Sequence, residues 1–567
     1  FLMEFTKDSA NTHLLLNVSP GVAVLDGYRA ARSFPTTLRI QKPTETITIN
    51  NEATQIDFGN YVIVNQNVNS SAKGLPNINV FEKLNLRDAT NHGGSTIGTA
   101  RVKSINEDGI QLRFYLFDIQ MNAGSAFRQI KSIGTSGTNY FNVLLESSKA
   151  VLKETDNNKN LFKLAHLRPK TITDISYAVQ RRFAVTASGS GVATLSGLNT
   201  NETFTNPGDW IIGTDSDIYQ PSTLVTAATT TLTGSNTGAN ISGLPPSGAV
   251  EVLAYVQKGS PSVRQKTLTT KQKSYSVAGG EIALAKADIF TVEEIVDAAD
   301  SNINYFSRFK LDNGQRDNHY GLGKLILQGG NTAPTGNVSV RYKYFEHGDG
   351  DFFAVNSYSG QINYDQIQRY RFSNGVRNNI RGFLDFRSVM DSAGEFSTAS
   401  TGARINELPQ PGTLVTSDNE YYLAKGAKLV IDREGVIRFF HGNSGFNPRY
   451  PTKPENTLGL YDIILRGNTD NDSDVVVSKI NHKRHTMKDI TNLEQRIDKL
   501  EEVTTLNLLE IDTRHFQVLD SSGNDRTKSG FFVDNFVDHT GSDIRINEYR
   551  AALDPINHVI RPSFSED

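Results

Sequence analysis

Residues 485–538 contain the one long helical pattern in a sequence that otherwise consists of short, strand-like alternations, and this contrast limits the folds open to the chain. Apolar residues recur there at the three-four-three spacing of a coiled-coil seam: Ile490, Leu493, Ile497 and Leu500. Capping-box patterns at 491–494 and at 486–489 mark two alternative helix starts. We predict a helix over about 486–510, within an element bounded at 486–512.

Past Leu500 the seam loses its strict period. A heptad would continue with Thr504 and Asn507, which are polar. The apolar residues that follow instead are Val503, Leu506 and Leu509. A three-residue step turns the apolar stripe around the helix and locally overwinds a supercoil. The helix either packs on its own domain or assembles with helices of other chains, and the narrow seam favours the second interpretation.

The segment 513–567 is predicted to be an extended docking segment, because its phenylalanines need a surface to bury against. That surface lies on the same chain or on a neighbour. The predicted oligomerisation and assembly residues are Ile490, Leu493, Ile497, Leu500, Val503, Leu506, Leu509, Phe532 and Phe536.

The rest of the sequence predicts a mainly β fold. Period-two alternation marks strands at 36–41, at 338–345 and in a pair at 100–105 and 112–117. A hairpin is predicted over 427–440 around Glu434-Gly435, and one short helix over 291–299. The predicted fold class is therefore mainly β, with multidomain β-sandwich or barrel-like modules and one long C-terminal coiled-coil-type helix.

A change in amino-acid composition along the chain gives the predicted domain boundaries. Charged residues nearly vanish from about 185 to 260, where Ser, Thr, Gly and Ala dominate around short apolar alternations. This composition predicts an inserted small β-sandwich of five to seven strands, with a disordered linker as the alternative. Two β-rich domains, 1–184 and 261–485, flank the insertion. Residue 1 is Phe, so we expect the natural chain to begin upstream.

Charge and composition exclude several functional classes. The net charge of −3 gives no electrostatic reason to bind nucleic acid or an anionic membrane. No apolar run approaches the 18 residues that a transmembrane helix needs. With no cysteine, the chain has no disulfide, thiol nucleophile or thiolate metal site. We therefore predict no nucleic acid partner, no membrane span and no cofactor.

The chemical motifs in the sequence are incomplete. The Asp-rich run 470–474 lacks the glycine and the twelfth-position glutamate of a calcium loop, so a solvated turn is the better interpretation. The run 346–351 resembles a Gly/Asp turn more than a cation site. Asp312, Arg316, Asp317 and His319 form a polar group, for which a turn with Arg316 paired to a carboxylate is favoured over catalysis. We predict no catalytic, cofactor-binding or metal residues and no enzymatic activity.

The C-terminal region resembles a family of uncharacterised virion structural proteins of contractile-tailed bacteriophages, common among phages of cyanobacteria. The helix matches a TMRDI-x-x-LE-x-RI-x-x-LE-x-x-T-x-L-x-x-LE signature at Thr486, Met487, Asp489, Ile490, Leu493, Glu494, Arg496, Ile497, Leu500, Glu501, Thr504, Leu506, Leu509 and Glu510. A later G-x-x-R-x-K-x-G-x-FVDNF block matches at Gly523, Arg526, Lys528, Gly530, Phe532, Val533, Asp534, Asn535 and Phe536.

Further family-like blocks lie along the chain, so the resemblance covers about four-fifths of it and excludes roughly 185–260. These blocks are 20–28, 98–102 with 115–119, 312–320, 352–358, 384–387 and 420–423. Two positions depart from the family pattern: His319 stands where a second Tyr is usual, and Ser388 stands where a Pro follows Asp-Phe-Arg.

The resemblance implies a structural component of a phage tail or baseplate, such as a wedge scaffold that links the baseplate core to peripheral fibres. It implies protein–protein assembly with other tail or baseplate proteins, and with copies of the chain itself, in a virion assembled in the host cytoplasm. The alternative is a host-recognition or glycan-binding or -cleaving tail fibre protein, with the inserted sandwich as the glycan-binding part. Such a sandwich needs exposed aromatic side chains on one face, because sugar rings stack on them.

Overall fold

The structure is a computed structural model, and it divides the chain into two compact units, 1–480 and 481–567. It describes residues 2–8, 12–25, 27–55, 59–65, 78–108, 111–144, 150–151, 161–214, 218–219, 228–371, 375–396, 407–469, 472–482, 487–515, 519, 521–523, 551–554 and 559–562. The described residues are mostly in β-strands, which confirms the mainly β fold class.

Two seven-stranded sheets dominate the first unit. In one, the strands run in the order Asn139–Asn142, Ser132–Ser136, Lys83–Arg87, Thr96–Asp108, Gln111–Met121, Asn60–Asn65 and Ala150–Val151. In the other, the order is Ile218–Tyr219, Ile211–Thr214, Ala249–Gly259, Pro169–Thr186, Leu414–Tyr422 and Thr46–Gln55, with Glu202–Thr205 also paired to Ala249–Gly259.

Smaller sheets complete this unit. Those with three or four strands are Met3–Lys7, His13–Val18 and Thr36–Gln41; Ala193–Leu195, Gly238–Ser242 and Thr229–Thr233; Lys266–Tyr275, Val338–His347 and Ile289–Asp297; Glu281–Ala287, Leu322–Leu327 and Phe309–Asp312; and Ile437–Gly445, Ala424–Asp432, Thr457–Leu465 and Val475–Lys479. The two-stranded sheets are Gly21–Leu25 with Tyr28–Arg32, Leu161–Lys163 with Phe383–Asp385, His319–Tyr320 with Ser388–Val389, and Arg369–Arg371 with Arg377–Asn379.

Short 3-10 turns join several strands: Phe127–Gln129, Pro207–Asp209, Phe306–Arg308, Val355–Tyr358, Tyr364–Gln366, Ile380–Gly382 and Asp472–Asp474. In the second unit the structure describes one α-helix, Met487–His515, and a hairpin of Ala551–Asp554 and Val559–Pro562.

The predicted hairpins and alternating strands are confirmed. Thr96–Asp108 pairs with Gln111–Met121 in antiparallel register, and Ala424–Asp432 pairs with Ile437–Gly445. Gly435 has φ of +79°, which is why the second turn uses glycine. The helix predicted over 291–299 is wrong, because these residues lie mainly in the strand Ile289–Asp297. Pairing of this strand with Val338–His347 overrides its weak helical pattern.

The described residues of the predicted insertion supply seven strands, and their buried side chains belong to clusters shared with residues outside the insertion. Its Trp210, Phe204 and Leu195 belong to the same buried cluster as Phe162 and Leu384 from outside it. Its Ile211 and Leu253 pack instead in a second cluster with residues of 62–143. The long strand Pro169–Thr186 pairs directly with Ala249–Gly259, so the described strands of the predicted insertion are part of the same sheet as strands outside it.

A buried glutamine joins the two seven-stranded sheets. Gln180 donates through Nε2 to the carbonyl of Ile105 at 2.6 Å and accepts from the Ile105 N–H at 3.0 Å. The side-chain amide thus pairs with both backbone groups of one residue in the neighbouring sheet, as another strand would. This contact fixes the two sheets relative to each other.

Trp210→Ala tests whether the insertion shares the core of the body. The side chain is fully buried, and its Nε1 donates to the carbonyl of Thr205 at 2.8 Å. We expect the change to lower the stability of the whole β body by about 3–5 kcal/mol, measured by denaturant unfolding, because a large core cavity forms. Trp210→Phe, which retains most of the ring, is the matched control. A separate early transition confined to the insertion would contradict a shared core.

Candidate assembly surface

Three threonines of the helix Met487–His515 donate hydrogen bonds to the backbone of the same helix. At about 1.5 Å per residue its 29 residues span roughly 44 Å. The hydroxyls of Thr491, Thr504 and Thr505 donate to carbonyls four residues earlier, at 3.0, 2.6 and 2.7 Å. Thr491 therefore lies inside the helix and is not its N-cap, while Thr486 lies outside the described residues. The helix extends to His515, three residues beyond the predicted boundary of 512.

The apolar side chains of this helix are exposed. Their exposed fractions range from 43% for Leu493 to 77% for Met487. The set comprises Met487, Ile490, Leu493, Ile497, Leu500, Val503, Leu506, Leu508, Leu509 and Ile511. Proteins that act as monomers rarely expose so many large apolar groups on one helix, and exposed apolar surface of this extent is typical of interaction sites. We call this set the helix strip.

The helix strip has two faces. At roughly 100° per residue, the four seam residues 490, 493, 497 and 500 fall within an arc of about 80° around the helix axis. Leu508 and Ile511, near the C-terminal end of the helix, lie in the same arc. Val503, Leu506 and Leu509 lie on the other side. The sequence-based list thus missed Met487, Leu508 and Ile511, although the heptad count from Ile490 reaches Ile511. The other two predicted assembly residues, Phe532 and Phe536, lie outside the described residues.

Charged residues flank the seam, and acidic residues outnumber basic ones on the helix. The helix carries four Lys or Arg and seven Asp or Glu, so its net charge is −3 with histidine neutral. Arg496 precedes Ile497, and Glu501 follows Leu500, so opposite charges stand at the two edges of the same apolar layer. An edge arrangement of this kind sets partner choice and orientation in coiled coils.

The β body contains a second notable group, a buried ion pair inside an aromatic cage. Lys266 Nζ donates to Asp288 Oδ2 at 2.7 Å, and both side chains are essentially unexposed. The ammonium lies 4.6–5.5 Å from four ring centroids: Tyr320, Phe345, Phe353 and Tyr358. Such cation–π contacts stabilise the charge in place of water. We call these residues the Lys266 cluster.

Further hydrogen bonds extend the Lys266 cluster. His347 Nε2 donates to Asp288 Oδ2 at 2.9 Å, since a carboxylate can only accept. The hydroxyl of Tyr320 donates to Asp385 Oδ2 at 2.5 Å and accepts from Arg387 at 2.7 Å. Arg387 also donates to both oxygens of Asp385, at 2.9 and 2.8 Å. Every charge in the cluster therefore has an opposite charge in direct contact.

The electrostatics of the cluster are those of a fixed ion pair. Burial disfavours the charged form of Lys266, but the attraction of Asp288 raises its pKa well above the ordinary value. Burial alone would raise the pKa of Asp288, yet Lys266 and His347 lower it far below its usual range. Burial lowers the pKa of His347 and keeps the ring neutral. A fully charged, enclosed and saturated pair is suited to holding segments together rather than to turnover.

The Lys266 cluster brings together blocks that are far apart in the sequence. Tyr320 ends the block 312–320, Phe353 and Tyr358 lie in 352–358, and Asp385 and Arg387 lie in 384–387. Sequence reasoning singled out these blocks without predicting that they meet. The two departures from the family pattern also meet, because His319 and Ser388 are register partners in a short parallel sheet.

The polar group of residues 312–319 divides between separate partners. Arg316 donates to both oxygens of Asp312, at 3.0 and 2.8 Å, beside Gly314 with φ of +82°, which confirms the predicted turn. Asp317 accepts from the hydroxyl of Tyr370 at 2.7 Å. His319 contacts Asn318 through Nδ1 at 2.5 Å and is buried. The structure does not bring Asp317 and His319 together.

The acidic residues of the two runs considered as cation sites also contact separate partners. Asp474 is paired with Arg168 and Arg381, whereas Asp470 and Asn471 lie outside the described residues. Asp351 accepts from Lys258 at 2.6 Å, while His347 contacts Asp288. Among the described residues, no group of three or more His, Asp or Glu side chains is placed to hold a metal ion.

The comparisons with known proteins give one family. Residues 260–560 match the model of the domain of unknown function DUF4815. The match covers more than half of the 567 residues. The chain belongs to this family. The matched region includes the Lys266 cluster and the whole of the helix. No curated protein and no solved structure matches the chain. Within the described residues, no helix is long and apolar enough to cross a membrane.

Lys266→Met tests the importance of the buried pair. We expect a loss of about 3–5 kcal/mol in the free energy of unfolding, because Asp288 would keep its burial but lose its counter-charge. The matched control is Lys324→Met, which removes the exposed pair with Glu281 and should cost at most about 1 kcal/mol. Equal losses for the two variants, measured by urea unfolding, would contradict the role given to the cluster.

His319 makes the body sensitive to acid. Burial lowers its pKa from 6.5 to about 4, so between these values the unfolded chain binds a proton that the folded chain does not. The free energy of unfolding should therefore decrease as the pH is lowered from 6.5 to 4. This residue contributes up to about 1.4 kcal/mol of that decrease per pH unit. His319→Gln should flatten the curve of unfolding free energy between pH 6.5 and 4, whereas His482→Gln at an exposed position should not. An unchanged slope in His319→Gln would refute the assignment.

Proposed function

We propose that the chain is a structural component of the tail or baseplate of a contractile-tailed bacteriophage and acts by protein–protein assembly. The observation that carries this proposal is the helix strip, an exposed apolar surface on a helix of 29 residues. The resemblance of this helix and the blocks before it to phage virion structural proteins supplies the setting. In this proposal the chain is assembled in the host cytoplasm and becomes part of the virion.

The β body suits a mechanical role. The Lys266 cluster ties the segments 266–288, 319–320, 347–358 and 385–387 with charged hydrogen bonds, which tolerate little distortion. The glutamine link between the seven-stranded sheets adds a second rigid connection. A β body held together by such contacts, in one chain with a helix that has an exposed apolar surface, supports a scaffold role. We propose that it acts as a wedge scaffold between the baseplate core and peripheral fibres, with no enzymatic activity.

The glycan-binding alternative is less well supported by the inserted strands. Phe204, Trp210 and Tyr255 are buried, and Phe183 packs against Phe204 at 5.4 Å between ring centroids. Tyr219 is placed in a strand, but its side chain lies outside the described residues. Aromatic rings in the core cannot stack on a sugar. The described part of the insertion therefore favours packing within the body over recognition of a glycan.

Incorporation into particles tests the proposed function. In phage carrying Ile497→Asp with Leu500→Asp, we expect loss of the chain from purified tails, because two charges in the seam remove apolar burial of about 1.5–3 kcal/mol per side chain. Immunolabelling of the unaltered particles should place the chain on the tail or baseplate. The readout is quantitative mass spectrometry of purified particles together with labelling in electron micrographs.

The matched control is Asn492→Asp with Gln495→Asp. It adds the same two negative charges at the same three-residue spacing, but on the outer face of the helix. This control should enter particles normally. Absence of the chain from unaltered particles, or equal incorporation of the seam variant and its control, would overturn the proposed function.

A further inference from the structure

The partner of the helix can be inferred from the edges of its seam. We propose that the seam face of the helix strip binds copies of the same helix from other molecules of this chain, parallel and in register. This inference rests on the proposed assembly function and names its partner. It depends on how the residues beside the seam meet when identical helices are placed side by side.

Heptad positions follow from the seam. With Ile490 and Ile497 at a, and Leu493 and Leu500 at d, the edge positions g between residues 489 and 508 are 489, 496 and 503, and the edge positions e there are 494, 501 and 508. In a parallel, in-register coiled coil each g residue faces the e residue five positions later on the neighbouring helix. In an antiparallel pair, g faces g and e faces e.

Two of the three g–e contacts are complementary in the parallel arrangement. Arg496 meets Glu501 of the neighbouring copy, an opposite-charge pair at the edge of the Ile497–Leu500 layers. Val503 meets Leu508 of the neighbouring copy, an apolar pair. Both Val503 and Leu508 are more than half exposed on the isolated chain. The apolar edge contact compensates for the polar seam positions beside it, Thr504 and Asn507.

The third g–e contact indicates which end of the proposed coiled coil is weaker. Asp489 would face Glu494 of the neighbouring copy, and these like charges repel. The coil should therefore be loosest at its N-terminal end and tightest around Arg496 to Leu508. The polar layers also favour the in-register alignment. A shift by one heptad would set Asn507 against Leu500 and leave the amide unpaired in an apolar layer.

Engineered cysteines test the orientation, because the natural chain contains none. Leu493→Cys should form an interchain disulfide under mild oxidation, since equivalent d positions approach within disulfide range in a parallel coil. In an antiparallel pair centred near the middle of the helix, residue 493 at position d would meet residue 511 at position a. A mixture of Leu493→Cys and Ile511→Cys chains would then give only mixed dimers. Gln495→Cys, on the outer face, is the control and should stay uncrosslinked at the same concentration.

A charge exchange tests whether the partner is the same chain. Arg496→Glu and Glu501→Arg should each weaken self-association of the full chain about two- to fivefold, as expected for an exposed ion pair. The double variant should recover the original affinity, because the pair is restored with reversed sign. The readout is the mass-resolved oligomer distribution over a range of concentrations. Dimers and trimers that follow this pattern both support the inference.

Three outcomes would overturn the inference: a chain that stays monomeric at all concentrations, mixed 493–511 cross-links, or a double variant as weak as the singles. These outcomes are separable from a failure of the proposed function. A monomeric chain that still enters tails through its seam would leave the structural role intact and assign the helix to a different protein. A chain that self-associates in parallel but is absent from particles would leave the coil intact and refute the tail role.

Discussion

The buried pair of Lys266 and Asp288 is the constraint around which the family-matched part of the β body is arranged. Two opposite charges in a water-free interior are stable only when each is paired and the remaining hydrogen bonds are made. Here His347, Tyr320, Arg387 and the ring faces supply those contacts. Because the contributing side chains come from strands and loops spread over more than 120 residues, the segments must adopt one relative arrangement or leave a charge unpaired.

The helix follows the opposite principle. In the body, the charged side chains of the Lys266 cluster are buried among aromatic rings. In the helix, ten large apolar side chains are exposed. Helices in proteins gain most of their stability from packing of an apolar face, and the large apolar side chains of this helix are exposed. The two parts of the chain thus differ: the charged side chains of the Lys266 cluster are buried in the body, and the large apolar side chains of the helix are exposed.

Local pattern predicted most strands, because alternation of apolar and polar residues is sufficient when one face of a sheet is buried. The strand Thr36–Gln41 and the hairpin around Gly435 are examples. Pattern failed at 291–299, where Val, Glu, Ile and Ala are compatible with either state and only the neighbouring strand Val338–His347 decides. Pattern also offered Thr491 as an alternative to the predicted start at 486, because a capping box inside a helix has the same letters as one at its end.

The sequence alone determined the mainly β fold, the exposed seam of the helix and the lack of a complete catalytic motif, because these depend on residues close together in the chain. Tertiary structure decided what depends on long-range pairing. It merged the segment 185–260 into the body through the pairing of Pro169–Thr186 with Ala249–Gly259, and it brought Lys266, Tyr320 and Asp385 into one cluster. No local pattern encodes these contacts, since the free energy that fixes them comes from burial shared by distant segments.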